Sequence, residues 1–137
     1  MLDTPPLAET SEFSFWSDAA DYRIDGDTEV GFCTVYPHRA NTVTWMERHE
    51  RTPELLVPID GRLVLPVMTD NDEAEVQAFE FGPGEAVVIG RNVWHSACLP
   101  VGWDAVTYFV IFRLGTPHED VVKTDIPPVR IQIRSQV

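Results

Sequence analysis

"TWMERHERTPELLVPIDG", residues 44–61, poses the fold question in one line: Glu47, Arg48 and His49 end a strand-like run, Glu54 follows, and Gly61 comes seven residues after that. On an extended strand, side chains two apart share a face. Glu47 and His49 therefore continue the face of Val43 and Trp45, while Thr44, Met46 and Arg48 point the other way. Apolar residues leading into a carboxylate and an imidazole read as the interior of a small barrel that turns polar at one end. A solvated charged strand followed by a turn would use the same letters, so the rest of the chain must decide.

A second segment answers the first. In "GEAVVIGRNVWHSACL", residues 84–99, Gly84 is followed after five residues by Gly90, Arg91 and Asn92, and then, two residues on, by His95 between Trp94 and Ser96. From Val30 onward the chain consists of short runs rich in Val, Ile, Thr and aromatics: "VGFCTVY", "NTVTWMERH", "ELLVPI", "RLVLPVM", "VQAFEF", "EAVVIG" and "AVTYFVIFRL". Turn residues separate them at intervals of about ten, the pattern of a β-sandwich or barrel. "IDGR" reads as an Asp-Gly hairpin between two of these runs, "TDNDE" as a polar connection and "FGPGE" as a tight turn. Pro58 and Pro66 mark edges, strand ends or bulges. "FWSDAADYR" reads as a short helical or irregular stretch, and residues 1–12 as a loosely held arm.

The chain has 137 residues, 44% of them hydrophobic, enough for one domain with its own core. We divide it into a lead-in over 1–29, a barrel over 30–125 and a C-terminal extension over 126–137 that adds a strand. Its net charge is −12, from 22 acidic and 10 basic residues, and Lys123 is its only lysine. That balance disfavours nucleic acid and anionic membrane surfaces as partners. Cys33 and Cys98 lack zinc-site spacing and read as small hydrophobes in a reducing compartment. The N-terminus shows no basic segment followed by an apolar run, so the expected location is the cytoplasm.

With both segments in view, the chain resembles the cupin superfamily, an all-β jelly-roll barrel. The first cupin motif runs His, one residue, His, three or four residues, Glu, six residues, Gly; here the positions are Glu47, His49, Glu54 and Gly61, with Glu47 replacing the leading histidine. The second motif appears as Gly84, Gly90, Asn92, His95 and Leu99, with Gly90 and Asn92 in place of the motif's Pro and second Gly, and Leu99 in place of its Asn. "MERH", "VPIDG" and "VWH" are similar to the ureidoglycolate lyase family, over about residues 30–125.

The resemblance implies a lyase that splits ureidoglycolate into glyoxylate and urea, with a role in purine catabolism. It makes Glu47, His49, Glu54 and His95 the ligand set for a divalent transition metal such as manganese, iron, nickel or zinc, a choice that fits mixed nitrogen and oxygen donors. A metal-free cluster of mutually hydrogen-bonded side chains is the alternative. His49, with Glu47 or Glu54 beside it, is the expected base, and His95, or a water on a bound metal, is expected to donate the proton or polarise the developing carbonyl. Arg113, Arg91 and Trp94 are candidates for binding the substrate, the arginines through its carboxylate; Arg39, in a loop like Arg91, is also possible, and Arg48 is turned away by strand parity. His38 and His118 read as exposed. Two other readings stay open, a metal-dependent isomerase or dioxygenase of the same fold and a non-enzymatic ligand-binding cupin. A homodimer is expected.

Overall fold

The structure is a computed structural model that describes residues 4–69 and 75–133. Among the described residues, twelve strands and one short helix follow in order: β1 (Ala8–Glu9), β2 (Ser14–Phe15), β3 (Thr28–Val35), β4 (Thr42–Arg48), β5 (Glu54–Pro58), β6 (Leu63–Met68), β7 (Val76–Phe81), β8 (Val87–Ile89), β9 (Trp94–His95), β10 (Leu99–Pro100), β11 (Val106–Arg113), α1 (Thr116–Glu119) and β12 (Val122–Arg130). Two antiparallel sheets form the body. One has the order β3-β11-β5-β8; the other runs β10-β6-β9-β4-β12, with β7 also paired to β6.

The core follows from alternation. β5 buries Glu54, Leu56 and Pro58 and turns Leu55 and Val57 outward. β11 buries Val106, Tyr108 and Phe112 against it, with Tyr108 opposite Pro58 and Val110 opposite Leu56. Val35, Leu56, Leu63, Leu65, Phe81, Ile89, Cys98, Val106 and Tyr108 close into one apolar cluster between the sheets. Along β5 the inward positions thus pass from Glu54 to Leu56, which sets a polar end of the interior next to a dry one. β4 is packed on both faces. Met46 is fully buried with Trp94 and Val43 in a second cluster, against Met68, Val76 and Val122. Trp45, expected to extend the inner face, is 37% exposed at the rim.

Several turns behave differently from their letters. The Asp60-Gly61 turn joins β5 to β6, but these strands lie in different sheets. It is therefore a crossing between layers and not a hairpin, and the Asp60 carboxylate accepts the Thr107 N–H of β11 at 2.8 Å. Pro66 sits inside β6, paired with Ala78. Its carbonyl accepts the Ser96 N–H, and N–H and C=O of one residue face the same neighbour in an antiparallel ladder. The missing proline donor thus faces the break between β9 and β10, where no partner strand needs it. Pro83-Gly84 makes the expected tight turn, with Gly84 at φ +92° and the Glu85 N–H donating to the Gly82 carbonyl. The "TDNDE" connection falls mostly outside the described residues; Thr69 N–H to Glu75 C=O closes its neck. "FWSDAADYR" contains no helix: β2 pairs with β1, and residues 16–27 are irregular.

Gly61 is required by a close approach. A Cβ there would stand 2.7 Å from Cγ2 of Val106, a stiff, buried side chain. Gly61→Ala should lower unfolding free energy by about 1–3 kcal/mol in urea titration, and the penalty should shrink in a Val106→Ala background. An equal penalty in both backgrounds would refute the contact as the reason.

Candidate metal and active site

Three strands and one turn deliver the polar end. Glu47 near the end of β4 is registered opposite His95 of β9, His49 follows just past β4, and Glu54 opens β5. The two motifs are tied through the backbone. Asn92, in the left-handed conformation at φ +64°, donates its N–H to the His49 carbonyl at 2.8 Å. An asparagine tolerates that conformation where most side chains would not, which explains why it serves in a glycine's place.

The four predicted ligands meet. Glu54 Oε2 lies 3.0 Å from His95 Nε2 and 3.3 Å from His49 Nε2, and Glu47 Oε1 is 3.9 Å from His95 Nε2. One ligand atom each from Glu47, His49 and His95 fall within 4.8 Å of one another. Both imidazoles are oriented from behind: His49 Nδ1 is 2.8 Å from the Asp120 carbonyl, and His95 Nδ1 is 3.0 Å from the Val93 carbonyl. A carbonyl only accepts, so each Nδ1 carries the proton. In the neutral rings the Nε2 lone pairs then face the carboxylate of Glu54. Glu54 Oε2 and His95 Nε2 are buried without a hydrogen-bond partner.

Two buried acceptors 3 Å apart repel unless a positive charge lies between them. Protons on the rings supply it in one way, and a cation in the other. The donor chemistry suits a cation: two imidazoles and carboxylates are a transition-metal set, and ligating histidines commonly give their second N–H to a backbone carbonyl. Bonds of about 2.1 Å place neighbouring ligand atoms about 3.0–3.4 Å apart, close to the contacts Glu54 makes. The residues fit a divalent metal.

Asp120 positions the first histidine by a second route that the sequence did not signal. Buried at the end of α1, its carboxylate accepts the N–H groups of Glu50 and Arg51 at 2.9 Å each while its carbonyl holds His49. Phe112 meets the His49 ring edge-on at 5.9 Å.

In front of the cluster lies a cavity of about 610 Å³ lined by Glu47, His49, Glu54, Phe112, Pro117, Val121 and Lys123. The predicted substrate binders do not line it. Trp94 precedes His95 on a strand, so parity turns it to the opposite face, where it packs with Met46 and carries the Arg48 guanidinium 4.6 Å from its ring centre. Arg113 is one residue past the inward Phe112 and turns outward beside Gly26. Arg91 is exposed on the turn before β9. His38 and His118 are exposed, as expected. The cation that does line the cavity is Lys123.

Barrel and site together define a cupin. The fold is shared with an oxalate oxidase in complex with glycolate (TM-score 0.54, 21% identity, covering 69% of this chain and 45% of that one) and with Bacillus subtilis oxalate decarboxylase (TM-score 0.53, 17% identity, 74% and 24%). Within the cupins, residues 13–133 match the ureidoglycolate lyase family, and the chain belongs to that family. It is 35% identical over 77 residues to ureidoglycolate lyase 2 of Rhizobium meliloti, and 30% identical over 105 residues to the ureidoglycolate lyase of Rhodobacter capsulatus. These stretches cover 54% and 72% of this chain, and the chain spans 46% and 64% of the two relatives' lengths. Among the described residues no helix is long and apolar enough to cross a membrane.

Without metal, the cluster should be a pH-dependent ion pair. Burial would raise the Glu54 carboxyl, but the His49 and His95 rings facing it hold it down to about 2, against an ordinary 4.5. Burial pulls His49 down, yet Glu54, the Asp120 carbonyl and Glu47 together lift it above 6.5. A depressed carboxylate stabilises the fold above its unfolded pKa and loses that as pH falls from 4.5 towards 2; a raised imidazole stabilises below 6.5 and loses that as pH rises past its folded value. In metal-stripped protein the melting-temperature loss caused by Glu54→Gln should therefore peak between pH 4.5 and 6.5 and shrink on both sides. A loss that does not vary with pH would contradict the pairing.

Proposed function

We propose that the chain cleaves ureidoglycolate to glyoxylate and urea, using the Glu47, His49, Glu54 and His95 cluster. The observation that carries this reading is the convergence of those four side chains on one another, with Glu47, His49 and Glu54 lining the cavity, in a member of the ureidoglycolate lyase family. The reaction removes a proton from the carbinol hydroxyl, forms the carbonyl of glyoxylate as the carbon–nitrogen bond breaks, and returns a proton to the departing urea nitrogen. One group that takes the first proton and gives it back closes the balance.

Glu47 fits that role. Its side chain is 24% exposed towards the cavity, whereas that of Glu54 is 10% exposed. His49, the expected base, has one nitrogen committed to Asp120 and the other facing Glu54, so both of its nitrogens are engaged by the protein's own groups. His49, His95 and Glu54, with Glu47 at the cavity side, would hold the metal. When bound, a divalent metal supplies a Lewis acid that polarises the substrate's oxygen and lowers the hydroxyl's pKa. Manganese is our choice: the donor set suits it, and Bacillus subtilis oxalate decarboxylase, which shares the fold, has Mn(II) centres. Phe112 and the apolar cluster behind it exclude water from one side of the site.

Purified protein given ureidoglycolate should release glyoxylate and urea above the spontaneous rate. Glu47→Gln should lower kcat by about a hundredfold or more while retaining metal; His49→Ala should lose both. Release at the uncatalysed rate by wild-type protein carrying its metal would end the lyase reading. Turnover of another small carboxylate by the same protein would favour an isomerase or oxygenase in its place.

A further inference from the structure

The cavity presents an electrostatic problem to an anionic substrate. Two of its walls are carboxylates, Glu47 and Glu54, and the chain as a whole carries −12. An incoming carboxylate needs a local cation that the ligand cluster does not already consume. Lys123 is that cation. It stands on β12 directly opposite Glu47 of β4, and directly opposed residues in an antiparallel pair project from the same face. Its side chain accordingly lines the cavity.

What holds Lys123 in place is aromatic. Its ammonium lies 4.9 Å from the ring centre of Trp45, two residues before Glu47 on the same face. Among the described residues no carboxylate comes within 4.0 Å of it. A cation resting on a ring face keeps its attraction for an anion, whereas one locked to a carboxylate has spent it. Trp45 also lines the neighbouring cavity, of about 400 Å³, so the Lys123–Trp45 pair marks the boundary of the site. Charge then sets the substrate class. Two carboxylates, one ammonium and the two charges of the divalent metal that the site fits leave a net of one positive charge. A monocarboxylate neutralises it, and a dicarboxylate overshoots.

We propose that Lys123, steadied by Trp45, receives the carboxylate of a small monoanionic substrate and sets specificity for it, while the Glu47 and histidine cluster acts on the adjoining carbon. The proposal rests on the reading of the site given under Proposed function, but it concerns binding and is testable apart from turnover.

The test measures binding of two unreactive probes, glycolate and its neutral counterpart glycolamide, by calorimetry on metal-loaded wild type, Lys123→Met and Lys123→Arg, each checked for an unchanged melting temperature. Wild type should prefer glycolate. Lys123→Met should raise the Kd for glycolate about tenfold or more and leave that for glycolamide unchanged, and Lys123→Arg should recover most of the loss. With ureidoglycolate, Lys123→Met should raise KM more than it lowers kcat. Equal glycolate affinity in wild type and Lys123→Met, or no preference for glycolate in wild type, overturns the role of Lys123. Failure of the lyase reading looks different: no turnover by wild type, with the Lys123-dependent preference for glycolate intact.

Discussion

Two imidazoles donate their Nδ1–H groups to backbone carbonyls, and the nitrogens left over both face one buried carboxylate oxygen, Glu54 Oε2. Everything else at the polar end of the barrel follows from that constraint. Three mutually repelling acceptors cannot be left uncompensated in a protein interior, because the cost of an unpaired buried charge exceeds most single stabilising contacts. The fold must therefore admit a positive charge at that point, and its identity divides the two states of the site. Without metal the Glu54–His49 pair responds to pH, and a divalent metal, when bound, would supply a Lewis acid.

The surrounding architecture keeps the constraint in place. Asp120 serves both sides of one loop, holding His49 with its carbonyl and the next two backbone N–H groups with its carboxylate. Asn92 links the second motif's turn to the carbonyl of the first motif's histidine. These bonds run between segments far apart in sequence, so the four side chains are brought together by the barrel and not by any local element. The dry cluster around Leu56 and Tyr108 closes the far side, which leaves the cavity in front as the approach for a small molecule.

Much of this was legible in the letters, for identifiable reasons. The spacing of Glu47, His49 and Glu54 survives because it encodes one strand end, a turn and the next strand start, and His95 is recognisable from its own turn. Local patterns failed where the answer lay in pairing across the sheets. "IDGR" has hairpin chemistry, yet β5 and β6 part into different sheets, and Asp60 spends its carboxylate on β11. Trp94 and Arg113 sit beside inward residues, and alternation sends each to the other face. Lys123 is silent in the sequence because nothing near it along the chain marks a site; only its register with Glu47 does. Asp120 had no signal at all, since its carbonyl and carboxylate act on a loop about seventy residues away in sequence.

Glu54, His49 and His95, with Glu47, are arranged in a way that fits a divalent cation. Elemental analysis of protein purified without added chelator, followed by calorimetric titration of the stripped protein with Mn²⁺, tests it most directly. The protein should carry close to one equivalent of transition metal per chain, show one saturable Mn²⁺ site after stripping, and lose that site in a folded His95→Ala variant. Stripped wild-type protein that takes up no divalent metal, or a His95→Ala variant that binds it as tightly, would contradict it.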